Sequence, residues 1–404
     1  MKVLMYSWEY PPNSVGGLGK HVVELIPALG RQGIEVHLAT PRRAGGEERE
    51  EICPVAGGGA SIVYRVDAAE PPGDFFALAQ GVNGPLEAFG RELWASAGPF
   101  ELVHVHDWLV SFAGVALKHA FRTPLLATIH ATEYGRCRGN IQSPMSRAIN
   151  GTEWWLTYEA WRAICCSRFM AAEIQTALGA PPDKLDVIAN GVETARFDAL
   201  DGEDLTSFRA RFAAPDEPIV FYVGRVVYEK GVHLLVQAMP LLLQQNPGIR
   251  LIVAGRGDSL AYARQLSEEL GVADQCIFTG FISDEDRDRL FRVADVAAFP
   301  SLYEPFGIVA LEAMAARTPV VCADVGGLSE VVQHEETAIT VYSNNVGSLA
   351  WGIQRVLDDP AAARRRADVA YRMVVDQYNW DAIARQTADV YERVVDERTR
   401  VSWP

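Results

Sequence analysis

Residues 219–245 read IVFYVGRVVYEKGVHLLVQAMPLLLQQ, and this stretch decides the fold. Residues 219–223 form a short β-branched and aromatic run, which reads as a buried strand. Gly224 lets the backbone turn sharply, close to a ligand. From 233 to 245 the apolar residues follow a helical pattern. Working outward toward the C-terminal side, strands are expected at 250–254, 276–279, 295–300 and 320–323. Helices are expected between them at 260–270, 286–293 and 308–316. Toward the N-terminal side the same rhythm gives strands at 3–6, 36–39, 62–66, 102–105 and 125–129, with helices at 20–31 and 109–120. Apolar strands alternating with helices mean an α/β chain with parallel, doubly wound sheets. The rhythm pauses near 187–192 and restarts at 219, so two Rossmann-like units are expected.

The expected division is 1–198, 199–378 and a C-terminal piece 379–404. The first boundary falls where a polar, acidic stretch, 198–218, interrupts the pattern. The tail 361–398 reads as two helices. Segment 42–59, rich in Gly and Glu, reads as a mobile loop. Ligands of such sheets sit at the carboxyl ends of the strands, so a cleft between the two units is the expected binding place.

Charge narrows the partners. There are 37 Lys and Arg against 52 Asp and Glu, a formal net charge of −15. Nucleic acid and anionic membrane both need a positive field, so neither is an expected partner. Six cysteines are too few for a disulfide scaffold in a chain of 404 residues. Cys165 and Cys166 are adjacent in a strand-like run and point to opposite faces, so they do not form a metal pair. All six read as reduced thiols. The first apolar run is too short for a signal peptide, and no run nears the ~18 apolar residues of a membrane span. The expected location is the cytoplasm.

The residues with chemistry cluster after the strands. Glu304, Pro305, Phe306, Gly307, Ile308, Val309 and, at the eighth place from Glu304, Glu312 follow the strand 295–300. A helix is expected to begin near Phe306–Gly307, with Glu304 ahead of its first turn and Glu312 within it. The unpaired N–H groups of that turn suit a diphosphate. The two carboxylates can accept hydrogen bonds from hydroxyls flanking it, one from a sugar and one from a ribose. Gly224 and Arg225, then Lys230, close the strand 219–223, where two cations would stabilise charge on a leaving nucleotide.

Gly16, Gly17 and Gly19 follow the first strand. From Gly17 the order is Gly-Leu-Gly-Lys-His-Val, so the third glycine of a dinucleotide fingerprint is absent. The second strand ends in Ala39, Thr40 and Pro41 without an acid. A nicotinamide cofactor is therefore not expected. Gly255, Arg256 and Gly257 likewise lack the third glycine. His130 ends the strand 125–129. His104 and His106 share one strand face before Asp107 and Trp108. These histidines are not read as a metal site. Asp284 and Asp286 are expected to open the helix at 286 as caps.

Taken together, Gly16–Gly19, His130, Gly224–Arg225, Lys230–Gly231, the Glu304–Glu312 pair and Gly326–Gly327 resemble one family over nearly the whole chain. It is the large family-4/5-type group of retaining glycosyltransferases that includes glycogen synthases, sucrose synthases and mannosyltransferases. The resemblance implies a GT-B architecture, two facing Rossmann-like domains, with the last helix near 378–393 crossing back to the first. It implies that Arg225 and Lys230 hold the donor diphosphate, that Glu312 bonds the ribose and that Glu304 meets the sugar hydroxyls. The backbone through Phe306, Gly307, Ile308 and Val309 adds contacts, and His130 lies under the donor sugar. His130, Glu304, Arg225 and Lys230 are the expected catalytic set, with no protein nucleophile. Gly16, Gly17, Gly224 and Gly255 are expected on the donor, and Phe281 and Ile282 at its base. The donor is expected to be UDP-, ADP- or GDP-glucose, with no cofactor and no metal.

A narrower resemblance to glycogen-synthase-like enzymes rests on 131–136 and on Trp154, Trp155, Leu156, Thr157, Tyr158 and Glu159. It makes an α-glucan the expected acceptor, with Glu9, His106, Asp107, Trp108, Glu133 and Tyr134 as acceptor-side candidates. Trp155 and Tyr158, three apart, are expected on one helical face. The loop Ser14-Val15-Gly16-Gly17 lacks the lysine that glycogen synthases carry before their glycines. Other readings are a lipid or small-molecule acceptor, a nucleotide-sugar epimerase, and a silent sugar-nucleotide binder. The complete set of expected site residues argues against the last.

Overall fold

The computed structural model describes residues 1–13, 16–43, 45–68 and 73–403. Ser14 and Val15 lie outside the described residues. The chain divides into two compact units: residues 1–191 with 380–404, and residues 192–379. No described helix is long and apolar enough to cross a membrane.

The first unit is built on eight strands: β1 (Lys2–Tyr6), β2 (Glu35–Pro41), β3 (Arg49–Pro54), β4 (Ala60–Val66), β5 (Leu102–His106), β6 (Leu125–Ile129), β7 (Arg162–Cys165) and β8 (Leu185–Val187). Their spatial order is β3-β4-β2-β1-β5-β6-β7-β8. Every pairing is parallel except β3 with β4. Strand β1 is central, pairing Val3 with Val36 on one side and with Leu102 on the other. The order reverses between β1 and β5, which is where open parallel sheets leave a crevice at their carboxyl ends. One face is covered by the helix Gly17–Arg31 and by Trp380–Thr399. Leu25, Ile26 and Leu29 of the first share a core with Ile383, Tyr391 and Val394 of the second.

The segment expected to be a mobile loop instead contains β3. Its outer residues Arg49, Glu50 and Glu51 are exposed, so it carries no apolar alternation to read. It closes the sheet edge by pairing antiparallel with β4. The helix Phe75–Ala97 is not among the expected elements, and it contains Asn83, Gly84 and Pro85, residue types common in turns. The helix runs through them, and Asn83 Nδ2 donates to the carbonyls of Ala79 and Leu109.

The second unit has six parallel strands: β9 (Ile219–Val223), β10 (Arg250–Ala254), β11 (Cys276–Gly280), β12 (Val296–Phe299), β13 (Val320–Ala323) and β14 (Ile339–Val341). Their order is β11-β10-β9-β12-β13-β14, so the switch point lies between β9 and β12. Two sequence expectations change. The helix Asp284–Val293 is capped by Ser283, whose hydroxyl accepts the Asp286 N–H, rather than by Asp284 or Asp286. Those aspartates lie in the first turn, against the positive end of the helix. The helix Ile308–Ala315 starts after Gly307, so Glu312 stands in its second turn, not its first.

Candidate active site

On the second unit the switch point gathers the residues that follow β9 and β12. After β9 come Gly224 and Arg225, then a single 3-10 turn, Tyr228–Lys230. Gly231 ends that turn at φ +71°, and a Cβ there would come 2.1 Å from the Pro300 carbonyl oxygen. This glycine presses the lysine turn against the exit of β12. The N–H groups of Leu302 and Tyr303 donate to the Glu229 carbonyl at 2.7 and 3.3 Å and lock the two loops together. Lys230 Nζ then stands 2.8 Å from Glu304 Oε2, which also accepts the Ser301 hydroxyl at 3.2 Å. The Glu304 carbonyl accepts the Gly327 N–H at 2.9 Å. Arg225 keeps an exposed side chain, loosely paired with Glu229 at 3.5 Å.

Glu312 is buried in a different setting. Arg196 donates to its Oε1 at 2.6 Å, and Arg287 Nε lies 4.0 Å away. Arg287 and Arg196 also hold Asp288. Glu304 and Glu312 are thus each matched by a cation. Arg196, Arg287, Asp288 and Ser301 were not found in the sequence. Arg196 lies 116 residues before Glu312, and no local spacing announces that pairing.

Phe306 is buried with its ring 6.1 Å from that of Tyr378. Gly307 opens the helix at φ +108°, and Ile308 and Val309 form the first helical positions. Their N–H groups have no backbone acceptor among the described residues, the ordinary state of a helix start. Gly255 follows β10 at φ +140°, and its missing Cβ leaves room for the Gly224 carbonyl, which would lie 1.8 Å from it. Phe281 is 69% exposed, with the Arg256 guanidinium 5.9 Å from its ring centre. Ile282 is exposed to an intermediate degree.

On the first unit the switch point gathers histidines. His106 Nδ1 lies 3.0 Å from His130 Nε2, a distance at which the two rings share one proton in a hydrogen bond. The His130 N–H donates to Asp107 Oδ1 at 2.7 Å. Asp107 makes that turn with φ +60°. His104 lies beneath, between Tyr391 OH and Thr128 Oγ1, both at 2.8 Å. His21, from the first helix, meets Asn190 Oδ1 at 2.7 Å. Sequence reading missed His21 and Asn190. The signal was present: His21 sits in the first turns of the helix that follows β1. Ring nitrogens of His21, His106 and His130 lie within 4.8 Å of one another, the one place among the described residues where three such groups could hold a metal. His106 Nδ1, His130 Nε2 and His21 Nδ1 are engaged in hydrogen bonds, while His106 Nε2 is buried with no partner among the described residues.

Burial sets the protonation of this cluster. It pushes His130 down to about 4. Burial and then His130 push His21 down to about 3, against the Asn190 bond. His104 and His106 are lowered too, burial first and neighbouring histidines after. All four are therefore neutral at pH 7. Burial raises Asp107 to about 6, with the His130 N–H opposing.

The acceptor-side candidates separate. Glu133 and Arg136 are tied to buried Glu153, which accepts the Glu133 N–H with both oxygens at 2.9 Å and the Arg136 guanidinium at 2.9 Å. Trp108 is buried, stacked on Phe76 at 5.5 Å and edge-on to Phe75. Glu9 Oε2 accepts the N–H groups of Gly16 and Gly19 at 2.9 and 3.3 Å, so a carboxylate already sits at the start of the helix Gly17–Arg31. Gly17 is the first residue of that helix. Tyr134 is exposed. Trp154, not Trp155, shares a face with Tyr158: the two exposed rings stack at 5.8 Å, while Trp155 packs on Phe112 at 5.0 Å. The pairing is i, i+4 rather than i, i+3.

Comparison with known proteins agrees with this layout. Residues 15–196 match the family described as Glycosyltransferase Family 4, and residues 205–373 match Glycosyl transferases group 1. An uncharacterized glycosyltransferase of Methanocaldococcus jannaschii is 39% identical over 394 residues, covering 97% of this chain and 98% of that one. A glycogen synthase of Mycobacterium tuberculosis is 36% identical over 404 residues, covering 97% and 94%. Among solved structures, a sucrose-phosphate synthase from Thermosynechococcus elongatus superposes with a TM-score of 0.82 at 28% identity, over 98% of this chain and 99% of that one. Two parallel-sheet α/β units, each with its polar cluster at the switch point, and relatives matched along nearly their whole length establish that this chain belongs to the family-4/5-type glycosyltransferases, enzymes of GT-B architecture.

Proposed function

We propose that this enzyme transfers glucose from a nucleoside-diphosphate glucose to a carbohydrate, an α-glucan, with retention at the anomeric carbon, in the cytoplasm and without a metal. The observation that carries the reading is the Lys230–Glu304–Ser301 cluster beside Arg225. An ammonium has three donors, so Lys230 can keep Glu304 and still reach a phosphate oxygen. Arg225, half-exposed, supplies a second cation for the diphosphate. The free N–H groups at Ile308 and Val309 add a third source of positive field. Together they stabilise charge on the leaving nucleotide in the transition state.

Glu304 takes hydroxyls of the sugar and Glu312 those of the ribose. Each carboxylate is already held by a cation, which fixes its rotamer before the donor arrives. The nucleotide base lies against Arg256, Phe281 and Ile282. His130, neutral because it is buried, donates or accepts at the transferred sugar without adding a charge. No side chain is assigned as nucleophile. The leaving phosphate itself takes the proton from the incoming hydroxyl as the new glycosidic bond forms on the face the phosphate leaves. The 36% identity to a glycogen synthase along 97% of this chain supports the glucan as acceptor.

The test is nucleoside-diphosphate release from UDP-, ADP- and GDP-glucose, each with and without maltooligosaccharide. Release from one donor that rises with the oligosaccharide, with extended chains in the mass spectrum, is expected. Slow release indifferent to oligosaccharide overturns the glucan and moves the acceptor to a small molecule or lipid. Conversion of the sugar without release overturns transfer itself.

A further inference from the structure

A cavity of about 620 Å³ opens on the second unit, beyond β13 and β14, and none of the assigned donor residues lines it. Two aromatic side chains stand on it, Tyr342 at 78% exposure and Trp351 at 49%. Neither ring stacks on another aromatic ring among the described residues, in contrast to Trp154 and Tyr158. Exposing two large rings on one concave surface leaves apolar area in water that a ligand would cover.

The polar groups of the cavity divide into two sets. Asn345 and Ser348 are engaged in the fold. Asn345 Oδ1 accepts the Ser348 N–H at 2.8 Å and caps the helix Val346–Asp358, while Ser348 Oγ accepts the Tyr342 N–H at 3.0 Å. These bonds fix the backbone at Tyr342, so its ring is presented from a rigid turn. Asp324 and His334 are not engaged in that way. The Asp324 carboxylate has no hydrogen-bond or ion-pair partner among the described residues. His334 Nδ1 accepts the Thr340 N–H at 3.1 Å and lies 2.8 Å from the hydroxyl of Thr340, which also lines the cavity; in the neutral ring this leaves the proton on Nε2. The cavity thus offers the Asp324 carboxylate as acceptor, the His334 Nε2 N–H and the Asn345 side-chain N–H groups as donors, and two aromatic faces. No Lys or Arg lines it, so a phosphate or nucleotide finds no cation there.

A neutral ring with apolar C–H faces and hydroxyls around its rim matches that set. We infer that this cavity is a second carbohydrate-binding site, in which a pyranose lies against Tyr342 or Trp351 while its hydroxyls donate to Asp324 and accept from His334. The site is separate from the transfer site but touches it. Ser343, next to Tyr342, donates through Oγ to the Ser301 carbonyl at 3.4 Å, and Ser301 donates to Glu304. A sugar held there would keep a saccharide chain beside the loop that carries Glu304. The inference stands on the cavity alone and does not depend on the transfer reaction.

The full chain is titrated by calorimetry, without any donor, against maltotetraose, sucrose and methyl α-D-glucopyranoside. At least one is expected to bind. Tyr342→Ala, Trp351→Ala and Asp324→Asn should each weaken it about tenfold, the scale of one lost aromatic or hydrogen-bonding contact. Lys230→Ala should bind the sugar as the wild type does. Asp324 is exposed, so its substitution tests the site even if an aromatic variant folds poorly. Binding that none of the three variants weakens overturns the site, as does no binding of any of the three sugars. Because no nucleotide is present, a failure here leaves the donor-release result untouched, and the reverse also holds.

Discussion

At Lys230 the ammonium nitrogen stands 2.8 Å from Glu304, and at Arg196 the guanidinium stands 2.6 Å from Glu312. The two pairs look alike but serve different ends. Lys230 is on a turn beside the exposed Arg225, while Arg196 belongs to a buried network with Asp288. Lys230→Ala is expected to lower turnover about 10²–10³-fold, since it removes a charge opposite the leaving group, and to lower stability as well, because it leaves the buried Glu304 carboxylate without its cation. Arg196→Ala is expected to do both. It removes the guanidinium 2.6 Å from the buried Glu312 carboxylate, a loss of roughly 1–3 kcal/mol after allowing for the partial exposure of Arg196. It should also weaken donor binding, because Glu312 loses its fixed rotamer. Urea unfolding and initial rates on both variants check this; an Arg196→Ala protein as stable as wild type would refute the structural half. The same pairs mark what the sequence disclosed. Lys230 and Glu304 each follow a strand end, and their neighbourhood was readable from that alone. Arg196 lies in a short helix with no motif, and only the folded chain brings it to Glu312.

At the scale of elements, the strands were legible because each is an apolar run bounded by turn residues. The parallel order follows from the helices between them. What escaped were elements whose composition contradicts their state. Arg49–Pro54 is a solvated edge strand without apolar alternation, and Phe75–Ala97 is a helix that runs through Gly84 and Pro85. Loops that follow strands were placed in order but not in contact. The lysine turn meets the β12 exit only because Gly231 has no side chain to keep Pro300 away. Gly231→Ala is accordingly expected to cost about 1–3 kcal/mol from the positive φ alone, with more from the collision. Because it displaces Lys230 from Glu304, it should lower activity more than the stability loss explains. A variant with wild-type rates would show that the turn does not set the position of the lysine.

For the molecule as a whole, stability should pass through a maximum near pH 6.5. His21, His104, His106 and His130 have folded values below the ordinary 6.5. Under that pH the unfolded chain binds protons that the folded chain refuses, so their contribution is present above pH 6.5 and lost as pH falls toward 4. Glu153 is pushed up to about 8, by burial first, and Asp107 to about 6. Their contribution has the opposite sign: it is present at low pH and lost as pH rises toward those values. His37 and His233, lowered by burial as well, add to the four, so the histidines outweigh the two acids on the acid side, and of these groups Glu153 shapes the side from pH 6.5 to 8. Thermal melts from pH 4.5 to 8.5 are expected to show both limbs, and Glu153→Gln should flatten the alkaline one. An unchanged alkaline limb in that variant would refute the assignment. The division of the chain has a further consequence, one of time. The second unit is a continuous stretch, so a ribosome delivers all of it before residues 380–404 appear. The first unit lacks Trp380 against His21 and Tyr391 against His104 until then. The unit synthesised second can therefore fold first, and the histidine cluster is assembled last, after its nascent half has waited through the synthesis of a whole neighbour.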